Sequence, residues 1–351
     1  MEKRSRFFVF VCLLVLANSA ATAEDHLNEE EKIKRIDTHC HYIPGFHRQV
    51  LREKNVSSGG FPLPGWNVSS YLAFMDLLNI SISVISVSTP GAVVKGLSID
   101  QARALARELK EYGYNLTKQY PKRFKFFATF TLPDVEGSVS ETVYALDTLG
   151  AAGIIALAST SGELLGNPLY EALYAELDKR HAIVFVHPGQ SPSSPEAVEC
   201  NYFKQHGAST IHCGFLTRHN TSSCVFGLQK RDPEVSEYQV HFGTGGFLPF
   251  ATTRIIGALQ LLTGWPESFI LSQLQAFYVD TALSANRYTL PSTLALLNTT
   301  QLTFGSDFPY AQSKAISQNT LNLDQYIQDN LKKGALEQVR FKNAQDILSH
   351  V

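Results

Sequence analysis

A dominant charge is missing from this chain: 30 basic residues stand against 32 acidic ones, a formal net charge of −2 over 351 residues. Without a positive surface field the chain lacks what nucleic-acid or anionic-lipid binding needs, and no nucleic-acid partner is expected. Long apolar runs are missing too. The stretch Phe7 to Ala17 is 11 residues long, well short of the ~20 that span a bilayer. Cysteine is scarce, with five in all, too few for a disulfide framework at this length. No internal repeat and no inter-domain linker interrupts the pattern. What is present is 44% hydrophobic residues with 23 Gly and 15 Pro, a composition that buries a large core and is neither disordered nor collagenous.

The apolar run follows Lys3, Arg4 and Arg6 and precedes Ala21-Thr22-Ala23, the basic, apolar and small-x-small order of a secretory signal. The expected organisation is a signal peptide over 1–23 and one domain over 24–351, luminal or secreted, with no membrane attachment after cleavage. Six Asn-x-Ser/Thr sequons, at Asn55, Asn67, Asn79, Asn115, Asn220 and Asn298, fit that route. Cys12 lies in the leader, and Cys200, Cys213 and Cys224 share one polar stretch. An oxidising compartment would let a pair of them close a loop, with the pairing open. His206, His212 and His219 lie in the same stretch at spacings that match no zinc template.

Short apolar runs alternate with helical periodicity. The strand candidates are Ile33–Thr38, Ser81–Val87, Phe124–Phe130, Gly153–Ala158, Ala182–Val186, Gln239–Phe242, Phe277–Thr281 and Gln301–Gly305. Between them Ala102, Leu105, Leu109 and Tyr112 recur at helical spacing, as do Tyr170, Leu173 and Leu177, and helical stretches run over Phe250–Leu262, Pro291–Leu297 and Leu323–Leu348. Eight strands with intervening helices predict an α/β fold, a (β/α)8 barrel, while pattern alone leaves a doubly wound sheet open. The polar segment Gly189–Pro233 reads as an irregular insertion after strand five.

The chemistry concentrates at strand ends. In Ile36-Asp37-Thr38-His39-Cys40-His41 the two histidines are two apart, so a strand turns both imidazoles to one face. Val184-Phe185-Val186-His187-Pro188 ends another strand in a histidine, and Thr303-Phe304-Gly305-Ser306-Asp307-Phe308-Pro309 follows the last strand with an aspartate. All strand C-termini of a barrel open on one face. His39, His41, His187 and Asp307 are therefore expected to converge on a divalent metal with open coordination positions. Each residue alone has a plainer reading, a core histidine or a helix N-cap.

These motifs, with Phe277-Tyr278-Val279-Asp280-Thr281-Ala282-Leu283-Ser284-Ala285, resemble the decarboxylase branch of the amidohydrolase superfamily over roughly Ile33 to Leu348. The last run is most similar to the fungal 6-methylsalicylate type. The resemblance implies a barrel holding zinc, or alternatively manganese, at His39, His41, His187 and Asp307, with Asp280 as a structural or supporting match. It implies a small aromatic carboxylic acid substrate, 6-methylsalicylate converted to m-cresol in fungal secondary metabolism, and a homodimer. Asp307 is the expected general acid. The family's His-Ala-Gly-Gly histidine is replaced in ungapped alignment by Gly243, and His241, two residues earlier, is the alternative proton-transfer group. Arg254 matches a family arginine near the substrate, suited to a carboxylate. Phe308, with Phe46, Trp66 and Phe247, is a candidate apolar wall. Gly153 to Thr160 carries no lysine to bridge two metals, which favours one ion. The competing readings are a metal-dependent hydrolase of a lactone or amide and a secreted relative without activity.

Overall fold

The computed structural model describes residues 34–58, 62–165, 167–189, 210–214, 225–229, 239–242 and 248–349. The eight apolar runs form eight strands: β1 (Arg35–His41), β2 (Ile80–Ser86), β3 (Phe124–Ala128), β4 (Gly153–Leu157), β5 (Ile183–His187), β6 (Gln239–Phe242), β7 (Tyr278–Asp280) and β8 (Leu302–Thr303). They lie in one sheet in chain order, and every neighbouring pair is parallel. The two edges meet. The Thr38 N–H donates to the Phe304 carbonyl at 3.0 Å, the His41 N–H donates to the Phe308 carbonyl at 2.7 Å, and Cys40 bridges Phe308. The sheet is thus a closed barrel of the (β/α)8 kind, without free edges.

Helices cover the outside: α1 (Gly45–Glu53), α2 (Val68–Leu77), α3 (Ile99–Gln119), α4 (Val135–Val143), α5 (Glu171–Asp178), α6 (Leu248–Thr263), α7 (Glu267–Leu274), α8 (Leu290–Leu296), α9 (Ser313–Asn330) and α10 (Asn343–Ser349). α3 illustrates why they form. Ser98 and Gln101 make a reciprocal capping box, and Ala102, Leu105, Ala106, Leu109 and Leu116 make one buried stripe. The helical stretch expected over Leu323–Leu348 is broken: α9 stops at Asn330, and Gly334, at φ +93°, starts a new helical segment. Only glycine takes that conformation without strain. The expected insertion after β5 falls mostly outside the described residues. Its described part is a two-stranded antiparallel ribbon, Thr210–Gly214 paired with Val225–Gln229. The leader and Cys200 and Cys224 also lie outside.

Alternation along the strands separates two cores. Ile85, Phe126, Ile154, Val184 and Val279 pack against the helices, while Ile36, Val84, Phe127, Ile155 and Phe185 belong to a second cluster closed by Ala344, Ile347 and Leu348 of α10. Phe185 stacks on Phe127, with ring centroids 5.6 Å apart. That layer forms the floor beneath the strand C-termini.

One outer contact carries a pH signature. Lys110 of α3 is fully buried, its Nζ 2.6 Å from Glu141 of α4 and donating to the Thr129 carbonyl. Burial lowers its pKa to about 8 despite the opposing pull of Glu141. An unfolded lysine titrates near 10.4, so between these values the unfolded chain binds more protons and stability rises with pH. Lys110→Met is expected to remove that rise, on the order of 3 kcal/mol. Denaturant titrations of both proteins at pH 7.5 and 10 measure the difference.

Candidate metal centre

β1 does not alternate evenly. Its pairing with β2 shifts between Asp37 and Cys40, a bulge of the kind that re-aims side chains. After it, His39 and His41 turn inward above the Phe185 layer and Cys40 turns outward, its Sγ 3.5 Å from the Val84 carbonyl. β5 brings His187 to the same level, and the loop after β8 brings Asp307. The three imidazole rings lie edge to face, with centroids 5.2 Å (His39–His41), 5.3 Å (His39–His187) and 4.7 Å (His41–His187) apart. Asp307 Oδ1 is 3.3 Å from His41 Nε2 and 3.6 Å from His39 Nε2. One ligand atom from each of the four residues falls within 4.8 Å of the others, the spread of donors around a cation with ~2 Å bonds.

The hydrogen bonds fix which nitrogen faces the centre. His39 Nδ1 is 2.9 Å from Asp280 Oδ2, while Asp280 Oδ1 accepts the Ala282 N–H at 2.8 Å. His187 Nδ1–H donates to the Pro188 carbonyl at 2.9 Å, and the Thr89 hydroxyl donates to the same oxygen at 2.6 Å. His41 Nδ1 is 3.1 Å from Ser86 Oγ, whose own hydrogen goes to the Cys40 carbonyl. The serine oxygen must therefore accept from Nδ1–H. All three rings therefore turn Nε2 inward as the nitrogen available to a metal. Among the described residues, His39 Nε2 and His41 Nε2 are buried and make no hydrogen bond, with Asp307 Oδ1 opposite them as an ion-pair partner, a costly state that a cation relieves. The residues present fit a divalent metal.

Electrostatics agree. Burial, reinforced by the neighbouring rings, holds His187 far below the usual histidine range, and burial also lowers His41. Burial opposes a charge on His39 as well, yet Asp280, Asp307 and Asp37 outweigh it and raise that imidazole to about 9. Asp280 and Asp307 have only histidines as ion-pair partners among the described residues. The surroundings call for positive charge at the centre. Gly305 permits the close packing: a Cβ there would sit 2.9 Å from the His39 Cβ and 3.0 Å from Asp280 Oδ1. Asp280→Asn leaves one of its two donors without an acceptor and is expected to weaken metal binding ~10–100-fold, measurable by chelator competition.

The other expected site residues fare differently. Phe308 is corrected: its ring is buried in the outer core, stacked on Phe74 of α2 at 4.1 Å and Tyr71 at 5.0 Å. The left-handed turn at Asp307 sends it outward, to bridge Cys40. Phe46 and Trp66 pack on Tyr112 in that same outer layer, and Phe247 lies outside the described residues. Arg254 is exposed on α6 and is not among the gathered groups. His241 aligns on the backbone with Phe185 of β5 and Tyr278 of β7, two residues below the level of His187; Gly243 lies outside the described residues. The strand-four end, Leu157, pairs with His187 and offers no ligand. One neighbour had no sequence signal. Tyr310 lies edge-on to His41 at 5.3 Å, its hydroxyl 3.0 Å from Ser58 Oγ.

Comparison with known proteins gives a consistent picture. The model of a family described as amidohydrolase matches residues 36–227. Decarboxylase macB of Penicillium terrestre is 32% identical over 81% of this chain and 87% of its own length. A 6-methylsalicylic acid decarboxylase of Penicillium expansum is 26% identical over 83% and 90%. Among solved structures, a 5-carboxyvanillate decarboxylase of Novosphingobium aromaticivorans with bound manganese and a nitrobenzoic acid superposes with a TM-score of 0.69 at 16% identity, covering 91% of this chain and 98% of that one.

Proposed function

We propose a function from one premise: this chain belongs to the amidohydrolase family. It is a metal-dependent, non-oxidative decarboxylase of an aromatic carboxylic acid. The observation that carries the reading is the convergence of three imidazoles and the Asp307 carboxylate at the open end of the barrel. The ion we assign there is zinc, with manganese, present in the related decarboxylase above, as the alternative. Bound at these four residues, such an ion supplies Lewis-acid polarisation of the carboxylate and adjacent phenolic oxygen of an ortho-hydroxybenzoate.

The protein's own residues do the rest. Decarboxylation must place a proton on the ring carbon that bears the carboxylate, at the cost of aromaticity, before carbon dioxide leaves. Asp307 is the group we assign to that transfer: Oδ1 faces the imidazoles, and Oδ2 is the atom we assign to delivering the proton. His241, a layer deeper on β6, is the secondary candidate. The Phe185 layer closes the floor, and Tyr310 lies edge-on to His41. The substrate we assign is 6-methylsalicylate, giving m-cresol, as in the Penicillium expansum relative. Incubating zinc- and manganese-loaded protein with 6-methylsalicylate and other hydroxybenzoates, and following cresol and carbon dioxide, tests this. Cleavage of lactones without turnover of any hydroxybenzoate would overturn it.

We also propose passage through the secretory pathway. The support is the leader pattern together with the sequons: Asn55, Asn67, Asn79, Asn115 and Asn298 are all exposed. Protein from a eukaryotic secretory host is expected to shift down in mass on treatment with an N-glycosidase, and peptide mapping to find the modified asparagines.

A further inference from the structure

Asp37 is fully buried, yet it is not one of the gathered ligands and has no arginine or lysine partner among the described ion pairs. A buried carboxylate without a cation is expensive, so its contacts are informative. Oδ1 accepts the backbone N–H groups of His39 and Ser306, both at 3.1 Å, and Oδ2 accepts the Ser306 hydroxyl at 2.5 Å. Ser306 Oγ in turn accepts the Phe308 N–H at 3.1 Å. The residue between these two anchored positions is Asp307, whose φ of +60° is left-handed. For a residue with a Cβ that conformation costs roughly 1–2 kcal/mol and persists where surrounding contacts over-determine it. Backbone bonds tie the same turn: the Asp307 and Ser306 N–H groups donate to the His39 carbonyl at 2.8 and 3.1 Å, and the Ala311 N–H donates to the Asp307 carbonyl at 2.9 Å.

We infer that Asp37, acting through Ser306, is a positioning residue that sets the place of the Asp307 carboxylate against the two imidazoles of β1. This rests on the metal-centre reading above and adds to it a device that couples the last strand's loop to the first strand. Asp37 binds neither ion nor substrate. It holds the turn from which the fourth ligand projects, so its loss acts on the geometry of the centre.

The test is a thermodynamic cycle read by Co2+ titration, in which the visible d–d absorption reports the ligand set independently of turnover. Ser306→Ala removes the hydroxyl arm and leaves Asp37 bound to the backbone N–H groups of residues 39 and 306. It is expected to weaken Co2+ binding ~10-fold and to shift the spectrum toward that of Asp307→Ala. In an Asp307→Ala background the same change is expected to cost less than ~2-fold, because coupled residues are not additive. Asp37→Asn, which keeps an oxygen for the backbone donors, is expected to fall between wild type and Ser306→Ala. Equal losses in both backgrounds, or a Ser306→Ala protein with wild-type affinity and spectrum, would overturn the positioning role while leaving the metal centre standing. Failure of the wild-type protein to bind Co2+ would remove both.

Discussion

Replacing His187 with alanine is expected to lower metal affinity by on the order of 10³-fold and to take turnover below detection at ordinary metal concentrations. The reasoning is comparative: loss of an outer partner of a ligating histidine costs ~10–100-fold, and loss of the ligand itself must exceed that. His187 is the cleanest of the three to remove. Among the described residues its Nδ1 bonds only the Pro188 carbonyl, and that oxygen keeps its bond from Thr89. His39 is tied to Asp280, and His41 to Ser86, so their removal leaves other buried groups unpaired. Inductively coupled plasma mass spectrometry on dialysed protein, with circular dichroism to confirm an intact barrel, reads the outcome. Full metal content in His187→Ala would contradict the site.

The second large effect is expected from Asp307→Asn. Asparagine keeps the shape and one oxygen, so the centre retains its ion with reduced affinity, but the amide has no acidic proton to give. General acid catalysis contributes ~10²–10⁴-fold, and the loss in kcat is expected in that range in metal-saturated protein, with KM changed far less. Asp307 suits the role geometrically. Its side chain is 18% exposed, whereas the His39 and His41 side chains are 5% and 0% exposed, so of these groups it faces the opening from which substrate enters. A Asp307→Asn protein that still decarboxylates at the wild-type rate would move the proton to another group, with His241 the first to examine.

Strands such as β4 and β5 were legible because a strand buried on both faces reads as a short apolar run, and turn residues punctuate it. Helices whose inner face is polar were not. α4 fully buries only Gly137, Ser138, Glu141 and Thr142, with Glu141 meeting Lys110 and Arg107 of α3, while its apolar Val135 and Val139 are only partly buried. α1 buries His47 and Leu51 only. The ligands were legible for a different reason: histidine and aspartate are conspicuous at the C-terminal end of an apolar strand. Their supports were not conspicuous. Ser86, Thr89 and Ser306 are ordinary hydroxyl residues whose roles follow from which carbonyl or carboxylate lies across the barrel. The misreading of Phe308 has a local cause as well. The left-handed turn at Asp307 sends the next residue outward to pair with Cys40, and spacing alone carries no sign of that reversal.

The seam between β1 and β8 has a further consequence. His39 lies on β1 and Asp307 in the loop after β8, two segments that meet only when the sheet closes on itself, so a cation gripped by both is a clasp across the joint. A ligand that binds the closed form alone raises its stability by mass action, ~4 kcal/mol at a thousandfold excess over its dissociation constant. Stripping the ion from the folded enzyme would then loosen the cylinder at this join before elsewhere, with amide exchange quickening first at Thr38 and His41, whose N–H groups cross to the far side.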